Sequence, residues 1–391
     1  MANYWDEMSA IMVMLWGAVS VLKNPKMSFG EFINWILLLF LVFIGALGNI
    51  CHPGLQTVSS VFIRDVVALI KFPVIFFTFE RRRISGEKQR QILHDAAVIS
   101  RWVVVVTLIA AIVGYFVDLG FYTDEVRTLR CFPFAYTHPT FFVSSYVMVA
   151  AVLMADSIRK NRIFILMDCF LLFMAQRTKG YAFIVFAVLF TILGEERTTR
   201  ILKSIFGTAK ERVKLSRLTL VVAAVGAVFW LVGREKLQDY IRWGLTAARP
   251  ALYIVGVKIM LDYFPLGSGF GTFASYLSGR HYSRIYRLYG ISHVNGMSPK
   301  CYDYISDVFW PYIYGQFGVF GLLIYVKLIF SAFIRQYRAK IANSSRIAVV
   351  AVWIYALIAS TSEAYFTNGT GVQMALLLTV FIGYTAAETE Q

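Results

Sequence analysis

The chain has 391 residues, 58% of them hydrophobic, 16% charged and 16% aromatic, with a mean hydropathy of +0.63. Soluble chains are about 45–50% apolar and about 25% charged, so this composition excludes an ordinary water-soluble domain and points to a membrane protein. The 38 Lys and Arg against 23 Asp and Glu give +15, which a nucleic-acid partner would explain only if the basic residues shared one solvated face.

They do not share one. A membrane-spanning helix needs roughly 20 mostly apolar residues, and such runs predict about eleven spans, with a range of ten to twelve. They lie near 7–22, 31–49, 58–79, 97–118, 139–155, 163–176, 180–194, 217–232, 311–333, 346–363 and 370–386. The expected fold is therefore all-α, a single polytopic membrane domain over 1–391. Several runs are short, so 163–176 and 180–194 also read as one broken element. The connections Lys23–Lys26, Arg81–Arg90, Arg159–Arg162, Arg197–Arg217 and Arg335–Arg346 hold 21 of the 38 basic residues. They alternate with connections such as Asn49–Ser60 and Thr367–Gly371, which hold none. The positive-inside rule makes the basic set cytoplasmic, the N-terminus outward and the C-terminus inward. No cleavable leader is expected, because Met1–Glu7 lacks a basic segment. Cysteine spacing gives no metal pattern. Cys51, Cys131 and Cys301 fall on the outer side, where one disulfide or unpaired thiols both fit.

One outward connection is exceptional. Residues 233–310 form a 78-residue loop, far beyond the usual few residues, and loops of that length are usually functional. It carries Arg234, Lys236, Arg242, Arg249, Lys258, Arg280, Arg284, Arg287 and Lys300 on the side where basic residues are disfavoured. Arg127, Arg130, Arg177 and Lys179 add to them, and an anionic ligand explains the excess. Ala251–Phe264 has the spacing of a short interfacial helix. In Pro265–Gly271, glycines at alternate positions could bring amides to a phosphate or simply make a sharp turn toward the membrane. Tyr282, Tyr286, Tyr289, Tyr302 and Tyr304, interleaved with Arg280, Arg284 and Arg287, suit sugar rings and phosphate oxygens, or an aromatic belt at the headgroups. Within the spans, Arg64, Asp65 and Lys71 are intramembrane charges; Arg64 and Asp65 do not share a helix face, so each needs a partner elsewhere, and Arg64 could line a donor cavity or pair with Glu363. His138 could contact sugar or cap a helix.

Three blocks together resemble the O-antigen polymerase and ligase superfamily of bacterial surface polysaccharide assembly, the Wzy and WaaL type. Gln176-Arg-Thr-Lys-Gly180 is similar to its Arg-containing helix start. Arg249 followed by Asp262-Tyr-Phe-Pro-Leu-Gly-Ser-Gly-Phe-Gly-Thr-Phe273 is similar to its outer-loop block. Ser306–Gly321 is similar to the block that opens the next span, and Arg130 with His138-Pro139 is a weaker match. The likeness covers roughly 125–335. At position 307, where the ligases carry a catalytic His, this chain has Asp307, which looks more like the polymerase branch.

The resemblance implies a metal-independent, inverting glycosyltransferase without cofactor, in the bacterial inner membrane with its site facing the periplasm. It would join undecaprenyl-pyrophosphate-linked repeat units into O-antigen, capsule or exopolysaccharide. Membrane lipids, a chain-length regulator of the Wzz type and a flippase of the Wzx type are the implied partners, and no nucleic acid. A sugar hydroxyl would attack an anomeric carbon as lipid pyrophosphate leaves, and fixed Arg groups would stabilise the charge that develops. Arg177 and Arg249 are the residues expected in that role, with Lys179 and Arg130 behind them. Asp307, beside apolar Val308-Phe309-Trp310, is expected to act as general base or to orient the acceptor; an N-cap or an ion pair with one of the arginines are the alternatives. Arg280, Arg284, Arg287, Tyr282, Tyr286, His138 and Arg64 complete the expected substrate-binding set. The rival functions are a ligase loading glycan onto lipid A core, which Asp307 argues against, and a lipid-linked oligosaccharide flippase, which should show inverted halves.

Overall fold

The computed structural model describes residues 5–23, 27–80, 86–126, 129–206, 234, 237–339 and 341–382. They form helices α1 (Trp5–Lys23), α2 (Phe29–Cys51), α3 (Ser59–Glu80), α4 (Gly86–Phe116), α5 (Pro139–Met174) and α6 (Thr178–Phe206). After these come α7 (Leu237–Thr246), α8 (Ala248–Asp262), the short α9 (Tyr276–Arg280) and α10 (Ile285–Leu288), then α11 (Trp310–Arg338), α12 (Asn343–Ser360) and α13 (Gly369–Leu376). Among the described residues the strands form one antiparallel hairpin, β1 (Thr123–Val126) and β2 (Leu129–Cys131).

Six helices among the described residues are long and apolar enough to cross a membrane: α2, α4, α5, α6, α11 and α12. The pair α7 and α8, bent by 69°, makes a seventh if it is one broken span. The remaining runs differ for physical reasons. The runs at 139–155 and 163–176 are the two helical halves of α5, parted at Ser157 (φ −172°, ψ 121°). The runs at 163–176 and 180–194 are separate helices, with Ala175–Arg177 between them, and not the single broken element that their shortness also allowed. Helix α3 carries Arg64, Asp65, Lys71 and Glu80, and α13 is short. The run at 217–232 lies outside the described residues.

The chain divides into two compact units. The first comprises Met1–Arg81, Lys236–Ile334 and Leu357–Ala375. Here α2 begins at a capping box, with Ser28 and Glu31 satisfying each other's backbone N–H, a local signal written in the sequence. Helices α1 and α3 are joined by a buried ion pair, Lys71 Nζ to Asp6 Oδ2 at 2.5 Å, with Glu7 at 3.7 Å. Lys71 is thus partnered by two acids at the start of α1. Arg64 makes no ion pair among the described residues, so the expected bridge to Glu363 is not formed.

The second unit comprises Arg82–Glu235, Arg335–Ala356 and Leu376–Gln391. The break at Ser157 frees backbone groups inside an apolar bundle, where each would be costly unless bonded. Asn161 Nδ2 donates to Leu153 O at 2.8 Å, and Glu195 Oε1 accepts from Ile158 N at 3.0 Å. Arg101 of α4 fixes the same break, donating to Asn161 Oδ1 at 2.7 Å and to Asp156 Oδ2 at 3.2 Å.

Candidate functional site

In the first unit the Gly-rich turn after α8 is a structural wedge. Phe270 and Phe273 are fully buried. The amide of Gly267 donates to Tyr263 O at 2.8 Å and that of Gly269 to Gln316 O at 2.9 Å. The amide of Gly271 is shared by Asp65 Oδ2 at 2.7 Å and Gln316 Oε1 at 2.9 Å. Asn49 pairs with both backbone groups of Phe270, at 2.7 and 3.0 Å. Gly267 has φ +78°, and a Cβ there would collide with the backbone of Gly318. The glycines therefore make a sharp turn whose amides are consumed internally, and they do not cradle a phosphate. Asp65 finds its partner in this turn.

The wedge sets the positions of the segments on either side of it. Arg249 lies in the first turn of α8 and Asp307 just before α11. Arg249 NH2 donates to Asp307 Oδ2 at 3.0 Å, and NH1 donates to Tyr240 Oη at 3.3 Å across the bend between α7 and α8. The guanidinium Nε is buried without a hydrogen-bond partner. The two side chains keep 33% and 31% of their surface exposed, so the pair remains reachable. Val308 and Phe309, buried behind Asp307, and the bond from Phe309 N to Ser360 O at 3.3 Å hold the carboxylate's end of the pair. Of the roles left open for Asp307, the ion pair with an arginine is formed.

In the second unit, His138 caps α5, its Nδ1 accepting from Thr140 N at 3.2 Å. A neutral imidazole that accepts at Nδ1 carries its proton on Nε2. That nitrogen lies 3.4 Å from Arg177 NH2. Strand β2 is tied to the same corner by Phe132 N to Met174 O at 3.0 Å and by the Cys131 thiol on Ala175 O at 3.1 Å. It brings exposed Arg130 to the end of α5, and Lys179 is largely buried in the first turn of α6.

The Tyr and Arg run after the turn separates into two groups. Tyr286 was expected to bind glycan, but it is fully buried and its hydroxyl accepts from Ala274 N at 2.8 Å and bonds Ser278 Oγ at 2.6 Å. It is a core residue, placed by the wedge. Tyr282 donates to Met297 O at 2.5 Å and lies under Arg287, 5.8 Å from its ring centre, and burial pushes its phenol up to about 12. Arg280, Arg284 and Arg287 are exposed. All four cysteines are free, Cys131 and Cys169 being buried. Among the described residues no three His, Cys, Asp or Glu are grouped as metal ligands. Tyr240 had no signal in the sequence as a partner of Arg249, since only the bend between α7 and α8 brings it there.

Fold and composition define the class as a helical protein built for the membrane. No protein-family model, curated protein or solved structure matches the chain. The functional reading therefore rests on the residues.

Proposed function

We propose that the chain is a polysaccharide polymerase of the Wzy type, a glycosyltransferase that joins lipid-pyrophosphate-linked repeat units at the outer face of the bacterial inner membrane. The observation that carries this reading is the guanidinium of Arg249, fixed between Tyr240 and Asp307 yet still one-third exposed. A prepositioned cation stabilises charge as it develops and needs no reorganisation at the moment of reaction. In this reading the spans number about eleven and the 233–310 segment is periplasmic.

The acceptor's hydroxyl oxygen bonds to the anomeric carbon of the donor, whose bond to the pyrophosphate oxygen breaks. The electron pair leaves with the lipid pyrophosphate, and the hydroxyl proton passes to the Asp307 carboxylate. Arg249 faces the developing negative charge, and its pairing with Asp307 holds that carboxylate in place. Inversion at the anomeric carbon follows from a single displacement.

The test uses purified protein in lipid with synthetic lipid-linked repeat units. Chain lengthening without ATP supports the reading. Movement of unmodified lipid-linked oligosaccharide across vesicles, with no lengthening, would establish a flippase instead.

A further inference from the structure

At the elbow between α7 and α8 lies a cleft of about 370 Å³, lined by Trp243, Thr246, Ala247, Ala248, Asn295 and Tyr304. Small-ligand sites occupy roughly 300–1,000 Å³, so the space suits part of a small molecule or one unit of a chain. It adjoins the ion pair. Ala247 and Ala248 directly precede Arg249, and Tyr304 O accepts from Asp307 N at 3.3 Å.

The lining has a definite chemistry. Trp243 and Tyr304 are 50% and 46% exposed, unusually open for large rings beside a cavity. Both are held from behind. The carbonyl of Trp243 accepts from Thr246 Oγ1 at 2.7 Å, and Tyr304 N donates to Gly296 O at 3.0 Å. The Tyr304 ring rests on Gly296 itself, at φ +74°, where any Cβ would collide with the ring. Exposed Asn295 stands beside it with an amide that both donates and accepts. None of the lining side chains is charged. A phosphate would find no cation here, and a lipid tail would leave the Asn295 amide unsatisfied. A pyranose matches both halves, with an apolar C–H face for the rings and hydroxyls for the amide.

We infer that this cleft is a binding subsite for an uncharged sugar unit of a glycan, seated against Trp243 and Tyr304 with its hydroxyls on Asn295. The inference rests on the polymerase reading for why a glycan comes here, and it puts one sugar next to Arg249 and Asp307.

The test reads binding without turnover. The full chain in phospholipid nanodiscs is mixed at millimolar concentration with the methyl glycosides of glucose, galactose, mannose, rhamnose and N-acetylglucosamine, and saturation-transfer NMR is recorded. At least one sugar should receive saturation at its ring C–H protons. Trp243→Ala and Tyr304→Ala should each weaken its binding about tenfold, while Tyr304→Phe, which keeps the ring, and Arg249→Ala should retain it. No transfer to any of the five sugars, or undiminished transfer in both alanine variants, overturns the inference. So does quenching of the Trp243 contribution to fluorescence by brominated phospholipid, measured against Trp243→Phe, because a lipid would then fill the cleft. Intact sugar binding without chain lengthening in the reconstituted assay would remove the polymerase reading and leave the subsite standing.

Discussion

Arg249 and Asp307 are 58 residues apart in sequence, and their side chains meet at 3.0 Å. The contact joins the start of α8 to the segment that opens α11, and both partners remain about one-third exposed. Removing either partner leaves the other charge partly buried, so the two substitutions should not be independent.

Arg249→Ala and Asp307→Ala are each expected to lower polymer formation by about 100-fold or more, the scale on which fixed electrostatic groups act. Expression should be unaffected. The double variant should lose little beyond either single one, since one unit is dismantled in every case. Polymer length and amount on gels of cell extracts, normalised to protein level, check this; normal polymer in both single variants would end the assignment.

Gly267→Ala should destabilise the protein by about 3 kcal/mol or more, because a Cβ at φ +78° meets the backbone of Gly318, which has no room to yield. Gly54→Ala is the comparison. Its φ is +94° with nothing within 4 Å, so only conformational strain of about 1–2 kcal/mol is expected. Melting of the detergent-solubilised protein followed by size-exclusion fluorescence distinguishes them, and equal melting temperatures would contradict the wedge.

Tyr286→Phe should cost about 1–3 kcal/mol of stability by leaving Ala274 N without its acceptor, with the KM for lipid-linked substrate unchanged. A raised KM at unchanged melting temperature would return Tyr286 to the substrate-binding set.

Much of this was legible beforehand, and the boundary is physical. Compositional signals survive folding: the apolar runs of α2, α4, α6, α11 and α12 are helices, Ser28 with Glu31 caps α2, and Pro265–Gly271 turns sharply. Tyr286 and Tyr304 read alike in sequence, since an alternation of Tyr and Arg does not say which ring a neighbouring turn will cover. One is fully buried and the other 46% exposed. The partners of Arg101, at Asp156 and Asn161, were hidden for a different reason. They exist only because α5 breaks at Ser157, and Ser is no obligatory helix breaker.

Breaking the ion pair between α1 and α3 should be severe. Lys71→Ala is expected to cost about 3–5 kcal/mol by stranding Asp6, and the double change Lys71→Met with Asp6→Leu should recover most of it. The same melting assay checks the pair. Recovery failing entirely would mean that Glu7, 3.7 Å from Lys71, carries the larger share.

Activity in the reconstituted assay should persist in EDTA, because in the proposed reaction arginine supplies the charge opposite the leaving pyrophosphate. Loss on chelation with recovery on adding a divalent ion would refute this.

The wedge after α8 also constrains the order in which the protein can be made. Gly271 N is bound by Asp65, 206 residues earlier, and by Gln316, 45 residues later. A chain emerging from the ribosome has α2 and α3 long before this turn, and the turn before the carbonyl of Gln316 that receives Gly269. Until α11 arrives, the polar backbone of 267–271 has only part of its partners, and the stretch between Arg249 and Asp307 has no fixed floor. The geometry of this segment is therefore a late product of biogenesis, completed when a helix near the end of the chain docks onto two from its beginning.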